Sequence, residues 1–198
     1  MAVATEQGDP MGLFETGDTA RSVLAFWFEE TAPRTWFNAT PAFDAAVGER
    51  FGALVDRALA GELADWRDNR PGALALLLLL DQFTRNMFRG TPRAFAGDGR
   101  ALVVARRAIG DGFDLEEEDP DRRQFFYSPY THQEDLAAQE EGVRLTEARL
   151  AGHSAARYAR LHRDVIAEFG RFPHRNAILG RETTSGEQAY LEAGGGFR

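Results

Sequence analysis

The chain has 198 residues, 43% of them hydrophobic, and a formal net charge of −8, which suits one globular core and disfavours nucleic acid or an anionic membrane surface as partner. It contains no cysteine, and all 23 basic residues are arginine, so disulfides, thiolate chemistry, lysine Schiff bases and a Walker-type phosphate lysine are excluded. The longest apolar run, Ala73 to Leu80, is too short to cross a bilayer, and an acidic start with no basic residue before Arg21 does not read as a signal peptide, so a cytoplasmic location is expected.

Residues 1–17 are polar and aperiodic and are expected to form a flexible tail, leaving 18–198 as one all-α domain. A first helix is predicted from Asp18 or Thr19 through Phe28. Thr40-Pro41 supplies a cap and a first-turn proline for a long amphipathic helix carrying Phe43, Val47, Phe51, Leu54 and Val55, which Gly61 ends. Pro71 to Arg89 reads as one helix of about five turns, apolar on all sides in its first half and polar in its second.

Further helices are predicted over Asp98–Gly110, near 121–127, from the capping-box pattern Thr131-His-Gln-Glu134 through Leu150, from Ser154 to Phe169, and from a second capping box at Thr184–Glu187. No stretch alternates as a strand does. About eight helices joined by short loops imply antiparallel hairpin packing.

Several unusual words occur in order: Val23-Leu-Ala-Phe-Trp-Phe28, Leu80-Asp-Gln-Phe83 with Arg85-Asn86, Arg89-Gly-Thr-Pro-Arg-Ala-Phe95, His132 with Glu134-Asp-Leu136 and Gln139, and Phe169-Gly-Arg-Phe-Pro-His-Arg-Asn176 with Leu179-Gly-Arg181. Together, over about 22–198, they resemble the bacterial family labelled "domain of unknown function 924". That resemblance implies a tetratricopeptide-like fold and carries no established activity. Thr84 stands where the family usually has proline, and Gln133 where it usually has serine.

Three words concentrate chemistry. On an α-helix at 100° per residue, Asp81, Gln82, Arg85, Asn86 and Arg89 fall within an arc of roughly 140°. They are either an intrahelical ion pair tying the helix to its neighbours or an anion receptor, with the arginines gripping phosphate, sulfate or carboxylate. His132 and Asp135 at a helix start form a candidate acid–base pair, while Glu134 is explained by capping. Arg171, His174, Arg175 and Asn176, on a short helix near Arg181, form the third word. Trp27, Trp36, Phe37 and Trp66 read as core, with Trp36, expected in a loop, retained as a substrate-stacking candidate.

The expected function is therefore a small enzyme without cofactor, acting on an anionic small molecule by acid–base chemistry. His132, Asp135, His174 and Asp81 are its catalytic candidates, and Arg85, Arg89, Asn86, Gln82, Arg171, Arg175, Asn176 and Trp36 its binding candidates. No metal site is expected, because His132, Glu134, Asp135 and His174 lack a ligand spacing such as HExxH. The alternative is a helical interaction module, a homodimer or one subunit of a heteromeric enzyme, with the polar words serving as staples.

Overall fold

The structure, a computed structural model, describes residues 19–197; the tail expected over 1–17 lies outside them. The Thr19 hydroxyl accepts from the Ser22 amide at 3.1 Å and starts α1 (Ala20–Ala25), which runs on as a π-helical turn, Phe26–Glu30. Trp36 does not sit in a loop. It lies on α2 (Pro33–Phe37), stacked on Trp27 at 6.3 Å with its Nε1 donating to the Trp27 carbonyl at 2.8 Å. A ring so packed belongs to the core, which removes it as a stacking platform for substrate. The long helix α3 (Pro41–Ala60) is capped by Thr40 and stopped by Gly61 at φ 88°, as the sequence predicts.

The predicted helix over 71–89 is continuous in space but not uniform in kind. It comprises α4 (Arg70–Leu77), a π-helical segment Leu78–Phe83, and α5 (Thr84–Met87). Asn69 caps its start by accepting from the Gly72 amide at 2.9 Å. Every residue from Ala73 to Asn86 except Arg85 is buried. A π turn closes on i→i+5 hydrogen bonds, so residues beyond it lag the 100° α projection. The polar face accordingly splits. Asp81 and Arg85 turn towards the second half of the chain, while Asn86 and Arg89 turn towards α3 and bond Asp44.

Helix α6 (Asp98–Gly110) crosses α4, and α7 (Phe113–Glu116), α8 (Pro120–Arg123) and α9 (Ser128–Thr131) follow as short turns. Then α10 (Leu136–Arg149) and α11 (Ser154–Phe169) form an antiparallel hairpin, and α12 (Ser185–Glu192) follows a 3-10 turn at Pro173–Arg175. The Thr184–Glu187 capping box forms as predicted, whereas the Thr131–Glu134 pattern does not. Asp135 caps α10 instead, accepting from the Ala138 amide at 2.8 Å. The fold is all-α, with no strand among the described residues. The main apolar core centres on α1, α3, α4 and the π segment, and a smaller one gathers Val165, Ile166 and Phe172 with Phe169, Tyr190 and Phe197.

Gly97 makes the closest approach in this architecture. A Cβ built on it would lie 2.0 Å from the Leu80 carbonyl oxygen, inside the π segment. Neither backbone can give way cheaply, because Leu80 is in the core and Gly97 starts α6. Gly97→Ala is therefore expected to destabilise the fold by about 2–3 kcal/mol or more, measured as a lower urea midpoint; an unchanged midpoint would show that the two backbones are not locked together.

Candidate functional site

The π segment delivers Asp81, 1% exposed, to the start of the second helical half. Its Oδ1 lies 2.6 Å from His132 Nδ1, its Oδ2 accepts from Gln82 Nε2 at 2.6 Å, and Arg85 pairs with Oδ1 at 3.0 Å. A carboxylate in this setting only accepts, so His132 carries its proton on Nδ1 and keeps a lone pair on Nε2. Burial acts to raise the Asp81 carboxyl, but His132 and Arg85 beside it hold it well below the usual carboxylate range. Burial, then Arg85, lowers His132 in spite of Asp81. The dyad at neutral pH is thus an ionised aspartate and a neutral imidazole.

Charges alternate outward from this pair. Arg85 reaches Asp98 at 2.9 Å, and Asp98 in turn accepts from Arg175 Nη1 at 3.2 Å. Arg175 also donates to the His132 carbonyl at 3.1 Å, and its guanidinium lies over Phe95 at 4.3 Å and Phe172 at 4.6 Å. Gln133 donates to the carbonyls of Asp98 and Pro129, both at 2.9 Å, which ties the loop bearing His132 to α6. Beyond this lie two bidentate pairs, Arg181 with Glu134 and Arg171 with Glu187.

A histidine and aromatic cluster adjoins the dyad. His162 lies 6.0 Å from His132 edge to face, and Phe197 stacks on His162 at 3.6 Å with 9° between the rings. His174 packs against Phe172 and Phe197, its Nδ1 buried without a hydrogen-bond partner among the described residues. Burial, reinforced by His132, pushes His162 down to about 3. Burial, then Arg175, pushes His174 down to about 4.

The three sequence words therefore converge only in part. Asp81, Gln82, Arg85, His132 and Arg175 meet, with His174 nearby across Phe172. Asn176 is buried behind them, bonding Arg181 and Thr183. Arg89 and Asn86 are committed to Asp44, away from the dyad, and Arg171 is committed to Glu187. Asp135 is exposed and spent on its cap, so the carboxylate that partners His132 is Asp81. Nor is the cluster strongly positive, since Arg85, Arg171, Arg175 and Arg181 are met by Asp81, Asp98, Glu134 and Glu187.

Sequence reasoning missed two members. Asp98 was legible only as the first residue of a predicted helix, and His162 only as a position within the helix from Ser154 to Phe169; neither carries a local sign of its distant partners. Among the described residues no group of three or more His, Asp or Glu is arranged to hold a metal ion.

Comparison with known proteins agrees with the resemblance drawn from the sequence. The model of a family described as bacterial protein of unknown function (DUF924) matches residues 23–195, and the chain belongs to that family. A solved structure, a protein of unknown function, ATU0120, from Agrobacterium tumefaciens, is similar at 42% identity and a TM-score of 0.83, covering 88% of this chain and 97% of that one. No curated protein matches the chain.

The buried neutral histidines set a pH dependence. Unfolded histidines protonate near 6.5, while His162 and His174 resist protonation down to about 3 and about 4. Between these values the unfolded chain binds more protons, so stability is full above pH 6.5 and falls as pH falls. At pH 5, each of the two withdraws about 2 kcal/mol. Melting temperature should drop between pH 7.5 and 5, and the double change His162→Gln, His174→Gln should reduce that slope, leaving the part that His132, also lowered by burial, contributes; an unaltered slope would place the proton uptake elsewhere.

Proposed function

We propose that this chain is an acid–base enzyme in which His132, oriented by Asp81, moves a proton on a small anionic substrate. The observation carrying this reading is the 2.6 Å Asp81–His132 contact in a buried polar cluster that keeps the imidazole neutral and its Nε2 lone pair available. Arg175 supports the anionic character of the substrate. Its Nε is buried without an acceptor among the described residues, and burial, together with Arg85, lowers the guanidinium despite Asp98. One donor of this guanidinium thus remains without an acceptor, although Asp98 meets its charge.

Hydrolysis, elimination or intramolecular displacement of a phosphate- or sulfate-like leaving group suits such a pair. The guanidinium takes the charge that develops on the departing oxygen, and the imidazole takes the proton. His174 lines the same region as a second neutral imidazole. The reading assigns a cytoplasmic location and requires no cofactor.

A second reading rests on a specific observation: Arg85, Arg171, Arg175 and Arg181 are each held by a carboxylate from elsewhere in the fold. Residues so committed serve as staples between hairpins, as in an interaction module, a homodimer or one subunit of a heteromeric enzyme.

Turnover of a panel of phosphate, sulfate and carboxylate monoesters separates the two. His132→Gln should lower kcat at least about 100-fold with little change in melting temperature, and the acid limb of wild-type kcat/KM should lie below pH 6.5, in the direction His132 is shifted. Unchanged turnover in His132→Gln would remove the enzyme reading. An inert panel, with a co-purifying chain lost in Arg175→Gln, would favour the staple.

A further inference from the structure

Beside Leu80 of the π segment lies an apolar groove of about 510 Å³, whose lining includes none of the dyad residues. Leu76 and Leu80 form one wall and Val103 and Val104 of α6 the other, with Arg67 and Arg100 also in its lining. The volume falls in the range typical of small-molecule sites. Val103 is 61% exposed at the rim, an apolar side chain with nothing over it.

The two arginines distinguish this groove from an ordinary surface crease. Most arginines of the chain meet a carboxylate, as Arg107 does with Asp68 close to this groove. Arg67 and Arg100 have no ion pair or hydrogen bond among the described residues, and Arg67 Nε is buried with no acceptor. Arg100 folds its guanidinium over Gly61, where a Cβ would lie 2.8 Å from Nη1, so that glycine leaves room for the head group. An acidic protein with net charge −8 has carboxylates to spare, yet none reaches these two cations. A buried guanidinium nitrogen without an acceptor is unfavourable, and an incoming anion relieves it.

From apolar walls and two lining guanidinium groups without a carboxylate partner, one of them with its Nε buried and unpaired, we infer that this groove binds a free, unbranched amphipathic carboxylate, its chain along Leu76, Leu80, Val103 and Val104 and its carboxylate reaching Arg67 and Arg100. The site is separate from the Asp81–His132 dyad and stands whether or not that dyad is catalytic.

Calorimetric titration of the full chain with decanoate, decanol and acetate tests it. Decanoate should bind with a Kd below about 1 mM, with decanol and acetate each weaker by about tenfold or more, since each lacks one half of the recognised chemistry. Arg67→Gln and Arg100→Gln should each weaken decanoate about tenfold, Arg67→Lys and Arg100→Lys should retain more of the affinity, and Val103→Glu should abolish binding by setting a like charge on the rim. Melting temperature confirms that each variant folds; where a glutamine variant does not, the lysine variant compared with wild type decides. Absence of decanoate binding, decanol or acetate binding as tightly as decanoate, or arginine variants that bind decanoate like wild type would each overturn the assignment.

Discussion

A carboxylate with 1% exposure, carried on the most apolar helix of the chain, organises the second half of the molecule. An ionised group removed from water must be met by opposite charge and hydrogen bonds, or it stays neutral or unfolds its surroundings. Asp81 is met by His132, Gln82 and Arg85. Arg85, itself largely withdrawn from water, pairs with a second anion, Asp98. Asp98 in its turn holds Arg175. One buried charge thus prescribes a chain of four, drawn from residues 81, 85, 98 and 175. The helix after Gly97, the loop bearing His132 and the turn at Pro173–Arg175 are held in register by electrostatics rather than by apolar contact alone.

This chain of charges also explains why the same residues support both a catalytic and a structural reading. A buried network of paired charges rigidifies what it touches, and rigidity is what a general base requires of its surroundings. What remains unsatisfied separates the two readings. The buried Nδ1 of His174 and the buried Nε of Arg175 both lie against Phe172 without a hydrogen-bond partner among the described residues. A pure staple has no need of two incompletely used polar groups in one place. Neutral imidazoles are the form that tolerates such a dry site, and burial keeps them neutral.

Local rules were legible in the sequence wherever the partner lies within one turn. Thr19, Thr40 and the Thr184–Glu187 box cap the helices that their patterns announce. The matching pattern at Thr131–Glu134 fails because Glu134 finds stronger donors far away, the Arg181 guanidinium and the Phe172 amide at 2.8 Å, leaving Asp135 to cap α10. Asp81–His132 and Asp98–Arg175 join residues 51 and 77 positions apart, and no helical period encodes them. The π turn was invisible for a different reason. Leu78 to Phe83 contains no residue that an α-helix rejects, so an α projection grouped Arg89 and Asn86 with Asp81 when the wider turn sends them to Asp44.

Thr84 shows what sustains that turn. Widening a helix frees carbonyls from their usual i+4 partners, and buried carbonyls need replacements. The Thr84 hydroxyl, wholly buried, donates to the Leu80 carbonyl at 2.9 Å, and the Arg85 guanidinium donates to that of Asp81 at 2.7 Å. Proline at this position would set its ring against the carbonyl four residues earlier, that same Leu80, and has no amide to offer. Threonine instead accommodates the widened turn by supplying a donor to that carbonyl. Leu80 lines the groove and Asp81 begins the charge chain, so two adjacent side chains of this turn serve two different sites.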